Sequence, residues 1–302
     1  MNQKLAMCLF LSVAALAAFW VAMPLRAKEG GETPAKKVKV GLVKSLFKDA
    51  PEAVVQIVMR PFKAFLEAQT GSAGEIVLTC DAETLGQQLV DNKVQIGVFH
   101  GYEFAWAKQK NPQLQVIVLA VNENPIQHAL LVVHKDCNAE SYCDLKGQTL
   151  AFPRLTREHC KLFLENRCVK SGAAPDKFYA EVTAPLDSED ALDCVVDGTA
   201  QATIVDGMAL ESYKLNKPGR YKQLKTLLQS EPFPSAVIAC NPGAVPPAAV
   251  DCFRQGLLTA RKTKDGKKLL EMCRISSFEE MPSDYEQLFA DIAKAYPPPP
   301  AK

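Results

Sequence analysis

Short apolar segments of strand length alternate with longer segments of helical periodicity, and this alternation constrains the fold more than any other feature. Strand-like runs occur at Val38–Val43, Ile76–Thr79, Val94–Phe99 and Gln115–Val121. In the segments between them, the apolar residues recur at the spacing of one buried helix face. Strands and helices in alternation predict α/β layers around a mostly parallel sheet.

The size and charge of the chain narrow the range of functions. A chain of 302 residues is long enough for two domains of ordinary size, each with its own core. Lys and Arg number 35 against 34 for Asp and Glu, so the charge balance indicates no polyanionic partner such as nucleic acid.

The N-terminal segment has the features of an export signal. Lys4 precedes an apolar run from Leu5 to Met23, with small residues near its end. A run of this length also spans a bilayer if it is not cleaved. We therefore expect residues 1–27 to be a signal peptide or an N-terminal membrane anchor and residues 28–37 to be a linker. The rest of the chain would then be periplasmic or otherwise extracytoplasmic.

The cysteine content agrees with an oxidising compartment. Ten cysteines are present, which is many for a cytosolic protein. Cys137 and Cys143 flank a short loop and are the candidate disulfide. No CxxC motif occurs, so zinc ribbons and thioredoxin-like sites have no support in the sequence.

Two polar, proline-bearing stretches divide the chain. They lie near residues 122–128 and 229–235, where the chain would leave one domain and later return to it. The predicted organisation is lobe 1 from residues 38–127 and 235–296, and lobe 2 from residues 128–234. A proline-rich tail follows at 297–302. The expected fold is thus two α/β lobes joined by two hinge crossings.

The stretch Asp144–Arg167 predicts an anion site. It reads as a turn, a short strand and a helix whose N-cap would be Thr156. A helix N-terminus presents unpaired N–H groups and the positive end of the helix dipole. Arg154, Arg157 and His159 add groups that donate charge-assisted hydrogen bonds. The alternative is that these are solvated charges at an ordinary capped helix.

Other candidate ligand-binding residues follow the ends of predicted strands. Ligands of open α/β sheets gather beyond the carboxyl ends of the strands. Ser45 follows the first strand, whereas His100, Gly101 and Tyr102 follow the third. Asp206 ends a later strand in the second half of the chain.

Three of the four histidines lie at positions that could face a cleft. His100 is on the predicted rim, His128 lies in a crossing and His159 is at a helix start. Histidines grouped in this way could bind a metal or an anion in a pH-dependent manner. The alternative is that they are ordinary polar loop residues, and we favour this interpretation. We therefore predict no metal and no cofactor.

Four segments of the chain resemble a known family of binding proteins. The sequence is similar to the periplasmic phosphate/phosphite/phosphonate-binding (PhnD-like) family of ABC transporter components, which have the type II periplasmic binding protein fold. The segments are SLFKDAPEAVVQIVMRPFKAFLEAQTG (45–71), DNKVQIGVFHGYEFAW (91–106), DLKGQTLAFPRLTREH (144–159) and ATIVDGMALESY (202–213).

The resemblance implies which residues meet the ligand between the lobes. By position these are Tyr102, Thr156, Arg157 and Asp206. The sequence departs from the family at the helix start, where Thr156–His159 replaces a Ser/Thr-Ser-Gly run. An oxyanion remains the expected ligand because Arg binds phosphate-like groups in a bidentate manner.

The expected function is therefore that of an extracytoplasmic solute-binding protein and not of an enzyme. It would capture a small oxyanion of the phosphate, phosphite or phosphonate type in an interdomain cleft, for uptake through an ABC transporter permease. One alternative is a membrane-anchored ligand-sensing domain. Another is an enzyme on the same scaffold, of the lyase or pyrimidine-synthesis type, with Cys160 as the candidate nucleophile.

Overall fold

The computed structural model describes residues 37–47, 50–79 and 81–299. Its strands, in chain order, are β1 (Val38–Val43), β2 (Gly74–Thr79), β3 (Ile96–Phe99), β4 (Gln115–Val121), β5 (Ile126–Gln127), β6 (Ala129–His134), β7 (Thr149–Ala151), β8 (Glu181–Thr183), β9 (Ala202–Asp206), β10 (Leu224–Gln229), β11 (Phe233–Pro234), β12 (Ala236–Cys240) and β13 (Ser277–Glu279).

Helices connect most of these strands. They are α1 (Glu52–Val58), α2 (Arg60–Thr70), α3 (Ala82–Val90), α4 (Gly101–Lys110), α5 (Glu158–Lys170), α6 (Pro175–Phe178), α7 (Ser188–Val196), α8 (Gly207–Asn216), α9 (Pro218–Tyr221), α10 (Pro247–Leu258), α11 (Lys264–Cys273) and α12 (Tyr285–Ala295). Short 3-10 turns occur at Lys44–Phe47, Tyr142–Leu145 and Ala260–Lys262.

Several sequence predictions fall outside the described residues. These are the signal peptide or anchor at 1–27, the linker up to residue 36 and the last three residues of the tail. Among the residues that are described, no helix has both the length and the apolar character needed to cross a membrane.

The first sheet has six strands in the order β13-β4-β12-β3-β1-β2. β1 pairs in parallel with β2 and with β3, whereas β12 pairs antiparallel with both β3 and β4. The sheet is therefore mixed, and the prediction of a mostly parallel sheet is wrong. The reason is the path of the chain: it returns from the second sheet and inserts β12 between two strands that run the other way.

The second sheet has five strands in the order β10-β6-β9-β7-β8. It is also mixed, because β7 is parallel to β8 and β9 whereas β6 is antiparallel to β9 and β10. All of its strands come from the segment between Ala129 and Gln229.

Two short strands join the sheets. β5 leads from the first sheet to the second and β11 leads back, and they pair antiparallel with Phe233 opposite Gln127. The two crossings therefore lie side by side, and a hinge at this place stays a prediction. Ser235 reinforces the pair, since its backbone N–H and its hydroxyl both donate to the carbonyl oxygen of Pro125.

The faces of both sheets are covered by helices, which fixes the position of each strand end. On the first sheet, α2 and α10 pack through Phe62 and Phe253, whose rings lie edge to face with centroids 6.0 Å apart. On the second sheet, Val132 and Val205 face Leu210, while their neighbours in the strands face the opposite side. This alternation follows from the two-residue period of a strand.

Two local predictions are corrected by the structure. The helix begins at Glu158 and its N-cap is Arg157, one residue after Thr156, whose backbone N–H instead donates to the Pro153 carbonyl in the preceding turn. The expected disulfide is not formed, because Cys137 and Cys143 are both free thiols. Cys137 lies shortly after the end of β6 and packs against the core, whereas Cys143 is exposed on a 3-10 turn.

Candidate functional site

Asp206 is the centre of the candidate site. It is the last residue of β9 and the N-cap of α8, where its Oδ1 accepts a hydrogen bond from the Met208 backbone N–H at 3.0 Å. Its other oxygen, Oδ2, lies 3.1 Å from Nε2 of His159 and 3.6 Å from Nε of Arg157. Burial alone would raise the pKa of this carboxyl, but His159 and then Arg157 outweigh burial and lower it. Asp206 is therefore ionised at neutral pH.

His159 is the buried cation of this cluster. Its side chain is only 5% exposed, and its ring centroid lies 5.3 Å from that of Phe233. Burial opposes protonation, but the adjacent Cys160 sulfur and the Asp206 carboxylate more than compensate and raise the pKa of His159 to about 9. The imidazole is therefore protonated at neutral pH and forms an ion pair with Asp206.

Arg157 is the exposed cation of the cluster. Its side chain is 40% exposed and lines a cavity of about 380 Å³ together with Asp206. The start of α7 at Ser188 and the first turn of α8 at Met208 also line this cavity. The N-termini of α5, α7 and α8 thus all lie at one cavity, whose wall also includes Glu123 from the connection after β4. Backbone N–H groups at helix starts favour negative charge.

Ser45 and Glu103 form a second polar group, on the first sheet. The Ser45 hydroxyl lies 2.8 Å from each oxygen of the Glu103 carboxylate. Burial raises the pKa of Glu103 to about 7, although the hydroxyl of Ser45 and the backbone N–H of His100 act in the opposite direction. Glu103 is therefore a buried carboxyl whose charge changes close to neutral pH.

Aromatic rings connect the two groups. The His100 and Tyr102 rings are stacked with centroids 5.6 Å apart, and Tyr102 lies edge to face with Phe233 at 6.2 Å. Phe233 belongs to β11. It contacts Tyr102 of α4, which packs beside the first sheet, and His159 of α5, which packs beside the second sheet. Movement of the hinge would therefore alter the packing of both candidate residues.

Gly101 has a steric role at the hinge. It begins α4, and a Cβ atom at this position would collide with the carbonyl oxygens of Pro234 and Ser235. Only glycine lets the start of α4 approach the returning strand this closely. The structure thus explains Gly101 by backbone packing, and a direct contact with ligand stays a prediction.

Two predicted residues lie apart from the ion cluster. Nδ1 of His128 lies 3.2 Å from the Ser230 carbonyl oxygen, so the ring spans the two crossings. Arg154 is exposed and lines neither of the two cavities described here, while its backbone N–H donates to the Pro185 carbonyl. Thr156 is buried in the turn before α5.

Among residues 37–47, 50–79 and 81–299, no group of three or more His, Cys, Asp or Glu side chains is placed to hold a metal ion.

The sequence interpretation missed part of the site. Phe233 was taken as part of a proline-interrupted crossing, although it is the ring that joins Tyr102 to His159. The hydrogen bond from Ser45 to Glu103 joins residues 58 positions apart, and no sequence pattern indicates it. A single large aromatic residue in an otherwise polar hinge was the available signal.

Two mixed α/β sheets joined by paired crossings, with candidate residues at the strand ends of both, define the class of type II periplasmic binding proteins. The chain belongs to the family described as "ABC transporter, phosphonate, periplasmic substrate-binding protein", whose model matches residues 47–285. It is therefore a transport binding protein of the extracytoplasmic space. A comparison with curated protein sequences finds no significant match.

Solved structures support the same fold at low sequence identity. The XAC2383 protein of Xanthomonas citri, bound to chloride ion, has a TM-score of 0.60 at 15% identity, over 86% of this chain and 97% of that one. PhnD1 of Prochlorococcus marinus, in complex with methylphosphonate, has a TM-score of 0.55 at 16% identity, over 86% and 98%. A binding-protein component of an ABC phosphonate transporter from Pseudomonas aeruginosa has a TM-score of 0.52 at 17% identity, over 86% and 88%.

Proposed function

We propose that this protein binds a small oxyanion of the phosphate, phosphite or phosphonate type at Arg157 and hands it to the permease of an ABC transporter. The observation that carries the proposal is the charge of the cluster. Within the cluster, Arg157 and His159 supply two positive charges and Asp206 supplies one negative charge, while Glu123 lines the same cavity. Because the ion pair of His159 and Asp206 is buried, the positive charge that faces the cavity is that of Arg157.

The surrounding backbone favours the same ligand. The cavity adjoins the starts of three helices, whose dipoles place partial positive charge there. At α7 and α8, some of the first N–H groups already donate to the carboxylates of Asp187 and Asp206. Hydroxyl groups of Ser188 and Ser212 line it as further donors. An anion at Arg157 would therefore receive charge-assisted hydrogen bonds from the guanidinium, close to the positive ends of three helices. The methylphosphonate complex of PhnD1 supports an anion of this class.

A role without catalysis fits the burial of the candidate nucleophile. The Cys160 side chain has no solvent-exposed surface and packs within the core beside Phe163. A nucleophilic thiol must reach its substrate, and Cys160 does not reach either cavity. We therefore propose binding without turnover, followed by closure of the hinge around the ligand.

The remaining part of the proposal concerns the N-terminus. We propose that residues 1–27 direct export and either leave as a signal peptide or stay as an anchor. The intact mass of the protein recovered from its native compartment distinguishes the two. Loss of the segment supports a released transport component, and its retention supports an anchored receptor.

Isothermal titration calorimetry with phosphate, phosphite, methylphosphonate and sulfate tests the anion site. We expect at least one phosphorus oxyanion to bind, and Arg157→Ala to weaken that binding by about tenfold or more, since charge-assisted hydrogen bonds contribute about 1.5–3 kcal/mol. Arg60→Ala is the matched control, because Arg60 is exposed on α2 and lines neither cavity. Equal affinities in both variants would remove Arg157 from the site.

A further inference from the structure

A second cavity, of about 440 Å³, lies between α4, α5 and the proline residues that follow α12. Its walls include two aromatic rings, those of Tyr102 and Trp106. They also include three acidic side chains, those of Glu158, Glu165 and Glu103, and the charge of Glu103 changes close to neutral pH. None of the proposed contacts to an oxyanion at Arg157 requires this cavity.

The two rings form adjoining walls. Their centroids are 5.1 Å apart and their planes are inclined at 69°. Trp106 is held in place because its Nε1–H donates to the Tyr296 carbonyl oxygen at 2.7 Å. Tyr102 is 93% buried, and its ring also stacks on that of His100 with centroids 5.6 Å apart.

The charges on the walls are mainly negative. Besides the three carboxylates, the lining has one cation, Lys161, whose ammonium lies 4.0 Å from Glu165 and is 57% exposed. Burial, followed by the charges of Glu103, Glu158 and Glu165, raises the pKa of Tyr102 well above its usual range. The carboxylates of Glu158 and Glu165, and Glu103 in its ionised form, therefore act on the position of the Tyr102 ring and make the potential there negative.

The lining is also poor in hydrogen-bond donors. Pro297, Pro298 and Pro299 form one side, and proline has no backbone N–H. The amide of Asn166, which also lines the cavity, donates to the Ala295 carbonyl oxygen, just as the indole of Trp106 is already engaged. An anion would find few donors here. A bare ammonium would lose strongly bound water on an apolar wall.

We propose that this cavity binds a methylated ammonium group against the wall that Tyr102 and Trp106 form. A methylated cation is weakly hydrated, packs on apolar surface and is attracted to aromatic faces within about 6 Å. The carboxylates supply the opposite charge. This proposal is independent of the oxyanion proposal and adds a ligand of the opposite sign to the same binding protein.

Intrinsic fluorescence offers a direct test, because Trp106 and Trp20 are the only two tryptophans in the sequence. In the full chain with Trp20→Phe, Trp106 becomes the sole tryptophan. Choline is titrated into this protein, with calorimetry as a second readout. The control ligand is its uncharged analogue, in which carbon replaces nitrogen. We expect a saturable change in Trp106 emission with choline and at least tenfold weaker binding of the analogue.

The double variant Glu158→Gln, Glu165→Gln tests the role of charge. We expect it to weaken choline binding by about tenfold, since it removes two carboxylates from the wall. Glu67→Gln, an exposed residue of α2 outside the cavity, should leave it unchanged. Equal binding of choline and its analogue, absence of any signal with choline, or unchanged affinity in the double variant would each overturn the proposal.

A methylphosphonate titration of the same preparations separates the two proposals. Anion binding with no choline binding rejects the cation site alone. Choline binding with no response to any oxyanion rejects the anion site alone. The double variant should retain its affinity for methylphosphonate if its fold is intact.

Discussion

Glu103 provides the sharpest test of the buried polar chemistry near the hinge. Burial raises its pKa from an ordinary value of 4.5 to about 7. The charged form is thus disfavoured in the folded state, so the carboxyl lowers stability as it ionises. The stability penalty is absent below about pH 4.5, grows between pH 4.5 and 7, and is complete above pH 7. A pKa change of this size corresponds to about 3 kcal/mol.

The replacement Glu103→Gln removes the charge and keeps the shape. Its carbonyl oxygen can still accept the hydrogen bond from Ser45. We expect the variant and the wild type to have similar free energies of unfolding near pH 4.5. At about pH 8 the variant should be more stable by about 3 kcal/mol, taken as an upper value.

Urea unfolding followed by circular dichroism at a series of pH values measures this difference. Comparing the two proteins at each pH cancels the contributions of other titrating groups, including His159. A difference between the proteins that does not change from pH 4.5 to pH 8 would refute the reasoning. It would show that the Glu103 carboxyl is solvated and not buried between α4 and Ser45.

Three further predictions address packing, linkage and thiol chemistry. Gly101→Ala should lower the free energy of unfolding by about 2 kcal/mol, because its Cβ would overpack against Pro234 and Ser235. Gly219→Ala is the control, since Gly219 has open space around it and the change should have little effect. Equal effects of the two changes in urea unfolding would contradict the close approach at Gly101. The pKa of His159 is raised to about 9, so its pairing with Asp206 stabilises fully below pH 6.5 and is lost as pH rises through 9. His159→Gln should therefore lose most stability relative to wild type below pH 6.5, and a constant difference up to pH 10 would refute the pairing. Cys143 is exposed and free, so it should react with an alkylating reagent in the absence of reductant. If Cys143 resists alkylation, the predicted disulfide between Cys137 and Cys143 would be supported instead.

The parts of the fold predicted from sequence rest on local patterns. Apolar runs of strand length and helical periodicity depend on neighbouring residues alone, and so do the polar, proline-bearing crossings that became β5 and β11. The grouping of Arg157 and His159 at one helix start was local as well. These features are visible in the sequence because each depends only on residues that are close together in the chain.

The features that sequence reasoning missed depend on contacts between distant segments. The sequence shows Asp206 at a strand end, but not that this end lies 3.1 Å from His159. The contact of Phe233 with Tyr102 requires the hinge geometry and the packing of α4 against it. The antiparallel insertion of β12 likewise depends on where the chain returns, for which no periodicity in the sequence gives a signal.

We propose above that Arg157 holds an oxyanion beside the adjoining helix starts. A crystal structure of the protein grown with methylphosphonate tests it most directly. We expect phosphonate oxygens within hydrogen-bond distance of the Arg157 guanidinium. A phosphonate bound elsewhere in the molecule, with Arg157 still paired only to Asp206, would contradict it.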